Sequence, residues 1–370
     1  MPGRPLRNGA TTRVRSRPGR RRGTTTDGAP PASVLAVVLA CGVAAVSTGA
    51  LFSRAAYDAA GSGTLGGGML LALVRLSLAC ALTAPAWLRH RPGRPATPPT
   101  GPDRPSEPPS ESLPSEPADV DPGPGPLPAG TGRRTALAGL LLGVHFATWL
   151  PSLAFTSVAA SVTIVTTGPV WIVLLLWLRG ERPRARTAVG IGVALLGGAL
   201  VAFGDVGGLD QGSNPPLGNA LALVAAITYA GHLLLGREVQ HRGLGLWRWT
   251  AVVTGIGAVA VLPLAVLTAP GDGPYPAGFW LGAVALALVP QMVGHSSFTW
   301  AVRWMSPTLV SVVILLEPLA STTGAVVLFD EVPGGLVVVG GLVLVAGVAL
   351  TTLAEQDRAP TMAEDPVAPT

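Results

Sequence analysis

Ser311 to Phe329 reads SVVILLEPLASTTGAVVLF, an apolar stretch as long as a bilayer-spanning helix with one carboxylate, Glu317, followed at once by Pro318. An ionisable side chain near the middle of such a span costs about 2.5 to 3.5 kcal/mol on insertion scales and so points to a functional site. Pro318 has no N–H to donate to the carbonyl of Ile314, so the helix is expected to bend there and free a backbone acceptor that lipid cannot satisfy. Glu317 and that carbonyl are therefore expected to face a protein interior or a wet cavity.

The whole chain agrees. Its 370 residues are 49% hydrophobic and only 12% charged, with a mean hydropathy of +0.50, which fits a polytopic membrane protein and no ordinary soluble domain. The net charge of +5 does not argue for nucleic acid, because every one of the 25 basic residues is Arg and they lie mainly between or before apolar spans. Cys41 and Cys80 sit inside apolar segments without metal or disulfide-framework spacing and read as small packing residues.

Ten apolar spans can be placed, at about 33–52, 68–88, 135–155, 159–178, 187–204, 217–235, 249–268, 279–300, 308–329 and 334–353. With the N-terminus inside, every Arg falls on the cytoplasmic side except Arg54, just beyond the first span, and Arg75, within the second. A missed or invented helix would scatter the later arginines onto both sides. Residues 1–32 form an Arg-rich polar arm, read as a disordered cytoplasmic tail; a twin-arginine signal at Arg21 and Arg22 is the competing reading. Residues 91–134 hold a Pro-rich, acid-bearing stretch that cannot pack as a core and is read as a disordered cytoplasmic linker, and 354–370 as a similar tail.

An internal repeat organises the rest. Ser157-Val158, Pro169, Glu181-Arg182-Pro183 and Gly190 reappear as Ser306-Pro307, Pro318, Glu331-Val332-Pro333 and Gly340, at offsets of 149 to 150 residues. Five spans per half is an odd number, so the halves, 33–204 and 217–353, are expected to have opposite orientations in the membrane. The reading is an all-α membrane protein of ten transmembrane helices arranged as two inverted five-helix repeats. That is the design of secondary transporters, with the solute near the midplane between halves.

These features resemble the EamA-type family of the drug/metabolite transporter superfamily. The likeness rests on two five-span halves and Pro-containing fourth and ninth spans, GPV at Gly168 to Val170 and EPL at Glu317 to Leu319. An acid-x-Pro follows each, at Glu181 to Pro183 and Glu331 to Pro333, and Arg75 lies in the second span. The resemblance covers 33–353 apart from the linker. It implies a ten-helix carrier of the cell membrane with both termini cytoplasmic, exporting amino acids, metabolites or toxic compounds on a proton or ion gradient. The N-terminal arm, the linker and the absence of Trp from the first span depart from the family pattern.

The polar residues inside the spans are the candidates for transport. Glu317 is the one acid placed centrally, and a carboxyl in a low-dielectric cavity that opens to each side in turn is suited to taking up and releasing a proton. The competing reading is a permanent ion pair with Arg75 that locks two helices. Arg75 itself reads as a binder of substrate carboxylate, as the partner of Glu317, or as a side chain snorkelling outward. His145 and Trp149 share a face in the third span, and Gln291 and His295 share one in the eighth, with Trp300 close after. The repeat relates His145 to His295 at 150 and Trp149 to Trp300 at 151, a one-residue slip ascribed to Pro151. These residues are weighed as a proton relay and a cation-holding aromatic pair against simple helix-packing contacts. Thr163, Thr166 and Thr167 stripe one face ahead of Pro169, and Ser321 follows Pro318, as cavity-lining hydroxyls; backbone bonding within the helix is the alternative. The glycines at 190, 192, 197, 198, 340, 341 and 347 are expected to permit close helix approach.

The chain contains no Lys, which excludes a P-loop ATPase, and has no paired Cys/His metal spacing. The expectation is a carrier without cofactor or metal, working on a small-molecule substrate and protons in a lipid bilayer, with homodimer formation allowed and no nucleic-acid partner. An intramembrane enzyme and a non-transporting scaffold or receptor are the alternatives.

Overall fold

The computed structural model describes residues 30–61, 63–88, 127–156, 158–205, 213–268, 275–320 and 335–356. Ser321 and the second acid-x-Pro, 331–333, lie outside them, as do most of the N-terminal arm and the linker. The described residues are helical and contain no strand. Seven helices are long and apolar enough to cross a membrane, and three shorter apolar helices accompany them.

In chain order they are α1 (Ala32–Ala59), α2 (Leu65–Leu88), α3 (Gly132–Phe155), α4 (Val158–Val165), α5 (Gly168–Leu178), α6 (Ala185–Asp205), α7 (Pro215–Gln240) and α8 (Leu246–Leu267). Then come α9 (Ala277–Leu286), a π-helical segment (Ala287–His295), α10 (Ser296–Ala301), α11 (Pro307–Ile314) and α12 (Gly335–Gln356). Within the described residues each predicted span is helical, because about twenty apolar residues can satisfy their backbone in hydrocarbon in no other local way. The ends differ by a few residues. Arg54 is still helical and pairs with Asp58 on the same face at 3.2 Å. Arg133 and Arg134 belong to α3 and not to the linker. Arg248, one residue ahead of the predicted span 249–268, lies in the first turn of α8 and is buried. Cys41 is exposed on α1 and fills no gap, whereas a Cβ at Gly255 of α8 would lie 3.1 Å from the sulfur of Cys80.

The main core runs through α1, α2, α3, α7, α8, α9 and α10. α2 packs against α8, α3 against α7 and α8, and α1 against α9 and the π segment. α6 and α12 pair along their length, and Ala194, Leu315 and Leu344 form a small second cluster between them and α11. The α6–α12 contact is reciprocal. A Cβ at Gly197 would lie 2.2 Å from the backbone nitrogen of Leu344, and one at Gly347 would lie 2.2 Å from that of Ala194. Both contacts join residues that the repeat offset of 150 exchanges, since 194 plus 150 is 344 and 197 plus 150 is 347. Gly192 and Gly198 face open space, so the expected close approach holds for part of the glycine set only.

At one end of the bundle Glu238 of α7 receives Arg134 of α3 at 3.1 Å and also pairs with Arg179, which caps α5. All three side chains are substantially exposed. Water screens such a cluster, so Glu238→Gln should cost less than about 1 kcal/mol. Thermal unfolding in detergent checks this, and a loss above about 2 kcal/mol would mean that the cluster carries the packing of α3 against α7.

Candidate functional site

Both prolines break their helices. α4 ends at Val165, the backbone tightens to an i−3 bond from Thr167 to Ile164 at 3.1 Å, and α5 starts at Gly168 with Pro169 in its first turn. α11 ends at Ile314, Leu315 and Leu316 make i−3 bonds of 3.1 and 3.0 Å, and the helix resumes at Glu317. The expected bend is thus a two-residue interruption. The missing N–H of each proline and the ring's clash with the preceding turn make continuous helix costly there, by about 3 kcal/mol or more. Ser47 of α1 braces the second break through its hydroxyl, which donates to the Val43 carbonyl at 2.7 Å and, in a longer three-centre contact, to the Glu317 carbonyl at 3.2 Å.

Val165 and Ile314, whose carbonyls lose their donors to Pro169 and Pro318, line one cavity together. The same cavity is lined by Arg75, His145, Trp149, Thr166, Tyr229, Pro290, His295 and Glu317. Glu317 is 6% exposed and Arg75 is fully enclosed. The volume is about 40 Å³, which holds water and nothing the size of a metabolite.

Arg75 is the eleventh residue of α2 and sits about 15 Å along it. Its full burial, with the guanidinium turned inward, is not that of a side chain snorkelling from the helix end. Its Nε donates to Gln291 Oε1 at 2.9 Å, an unambiguous assignment because a guanidinium only donates. Its guanidinium carbon lies 4.0 Å from the Phe146 ring centroid and 5.8 Å from that of Trp149, a cation–π contact on top of the hydrogen bond. Nη1 and Nη2 have no hydrogen-bond partner, nor does Trp149 Nε1. No Arg75–Glu317 ion pair forms within 4 Å among the described residues, so the locked pair weighed from sequence is absent.

His145 Nδ1 lies 2.9 Å from the carbonyl of Ala225, and His232 Nδ1 lies 3.0 Å from that of Ala138. A carbonyl only accepts, so both Nδ1 atoms carry hydrogen and each neutral ring keeps Nε2 as an acceptor. The two bonds clasp α3 to α7 reciprocally, each reaching a carbonyl seven residues before the partner histidine. His295 Nδ1 is 3.1 Å from the hydroxyl of Tyr229, and the His145 and His295 rings are 6.2 Å apart. Packing and cavity lining are thus united in the same histidines.

The other candidates separate. Gln291 is buried beneath the cavity as the partner of Arg75. Thr166 lines the cavity while its hydroxyl donates to Val162 at 2.8 Å. Thr167 caps the break, donating to Ile164 and accepting from Trp171 Nε1, and Thr163 is not among the lining residues. Trp300 packs on Trp304 away from the cavity. Pro151, to which the sequence reading ascribes the slip between the Trp149 and Trp300 pairs, lies within regular α3, while the helix carrying His295 contains a π segment that ends at that residue. The N–H of Ser296 bonds Gln291 five residues back, so one extra residue is taken up there. Tyr229 and His232 escaped the sequence reading, although their i, i+3 spacing within the sixth span was a usable signal.

Comparison with known proteins fits this arrangement. A model of the EamA-like transporter family matches residues 216–353. This region is EamA-like, and the family resemblance read from the sequence is borne out there. The EamA-like region contains α7 to α12, and thus Tyr229, His295 and Glu317. An uncharacterized transporter of Archaeoglobus fulgidus is 25% identical over 175 residues, 47% of this chain. The chain spans 60% of that relative's length. A crystal structure of a protein 18% identical in sequence aligns with a TM-score of 0.59 over 88% of this chain and 99% of its own, a likeness of fold alone. Several apolar helices together with an EamA-like region make this a multi-pass membrane protein.

Proposed function

We propose that the chain is a secondary active transporter of the drug/metabolite type, carrying out proton-coupled export of a small polar metabolite, amino acid or toxic compound by alternating access. Ten membrane passes in two inverted five-helix halves of the cell membrane, both termini cytoplasmic, form the scaffold of this reading. The observation that carries it is the cavity at the two helix breaks, where Val165 and Thr166 from one half meet Ile314 and Glu317 from the other. The reciprocal α6–α12 seam and the gathering of Arg134, Arg179 and Glu238 at one end support the symmetry and the orientation. A space of about 40 Å³ excludes solute, so in this reading the walls part toward one side at a time to admit it. Freed carbonyls, a carboxylate and an arginine are the groups that would replace its hydration. The direction of transport follows the family resemblance.

The purified protein in liposomes should move solute when a pH gradient is imposed and stop when an ionophore collapses it. An enzyme would instead convert solute without moving it, and a scaffold would do neither. Flux that ignores the gradient would remove proton coupling from the proposal.

A further inference from the structure

Three buried donors around the cavity have nothing to donate to among the described residues: Arg75 Nη1, Arg75 Nη2 and Trp149 Nε1. A buried N–H left unpaired costs about 1 to 3 kcal/mol, more for a charged group, and a guanidinium cannot escape by losing its proton. The rest of Arg75 is committed, with Nε on Gln291 and its face on Phe146. The fixed ring and the hydrogen bond hold the guanidinium plane in place and leave the outer fork open. Two parallel N–H groups of one guanidinium match the two oxygens of a carboxylate.

We propose that Arg75 binds a carboxylate of the solute through Nη1 and Nη2, so that the substrate class is small monocarboxylates with an apolar or aromatic body. This rests on reading the cavity as the solute site. Phe146, Trp149 and Tyr229 supply the apolar wall. A phosphate dianion fits worse, because its second charge would be buried without a counterion. The charged and titratable groups around the fork are Glu317, His145, His295, Tyr229 and, one layer out, His232. Arg75 is the one fixed cation among them, so a charged Glu317 and a solute carboxylate compete for it.

The test is equilibrium binding of radiolabelled benzoate to the purified protein in lipid nanodiscs, with benzamide and inorganic phosphate as competitors. Wild type should bind benzoate saturably and ignore benzamide and phosphate. Arg75→Gln should weaken binding at least about tenfold, because the charged fork is gone. Arg75→Lys keeps the charge without the fork and should also weaken it severalfold, which decides the matter if the Gln variant does not purify as a single species. Glu317→Gln should bind benzoate more tightly, as the competing carboxylate is removed. Absence of saturable benzoate binding, equal displacement by benzamide, or undiminished binding in both Arg75 variants would overturn the assignment. Failure here with pH-driven flux of another solute intact would leave the carrier reading standing. Benzoate binding without any flux would do the reverse.

Discussion

Glu317→Gln abolishes solute flux driven by a pH gradient while the protein remains folded in the membrane. Glutamine has nearly the same shape, and among the described residues the Glu317 side chain makes no ion pair whose loss would strand a buried cation. Arg75 keeps its bond to Gln291, and the Ser47 brace reaches the backbone carbonyl and not the side chain. Glutamine is uncharged and adds no ion to the span, so the variant should be no less stable. What is lost is the group able to carry a proton across the cavity as it opens to each side. Solute exchange without a gradient should survive, because it needs binding and helix movement but no net proton transfer. The measurements are gradient-driven uptake, exchange and thermal unfolding on the same preparation. Full gradient-driven activity in the variant would take Glu317 out of the mechanism.

Gly347→Ala lowers stability by about 1 to 3 kcal/mol, the range for overpacking a tight site, and Gly347→Val by more. The added Cβ would lie 2.2 Å from the Ala194 nitrogen and 2.5 Å from its Cα, so no flexible side chain can yield and α6 must move away from α12. Gly197→Ala meets the backbone of Leu344 and Gly340 in the same way. The two substitutions open one seam, so the double variant should cost less than the sum of the singles. Gly192→Ala and Gly198→Ala meet open space within α6 and should leave the unfolding midpoint no lower, or raise it slightly, since Ala favours helix over Gly by about 0.5 to 1 kcal/mol. Should Gly347→Ala unfold at the wild-type temperature, the seam would be looser than the contact distances require.

The sequence marked Glu317 and Pro318 as the centre of a cavity because both violate what a lipid-facing helix tolerates. Pro169 showed the same violation, and both breaks border one cavity. Arg75 was visible for the same reason, but its partner was not. A buried cation calls for a neutralising acid, and Glu317 was the natural candidate, whereas a side-chain amide and an aromatic face hold it. Tyr229 and His232 stayed unseen because no repeat counterpart singled them out as His145 and His295 single out each other.

Local chemistry therefore determined the helices, their interruptions and the residues too polar for lipid, since hydrocarbon forces each segment to satisfy its own backbone. Tertiary structure alone decided which faces meet. The helical period fixes which residues share a face, but not which helix covers it, nor that a π segment interrupts the helix between α9 and α10. The clasp of His145 and His232 and the open fork of Arg75 depend on atoms tens to hundreds of residues apart, and their geometry exists only once α2, α3, α7 and the π segment are packed together.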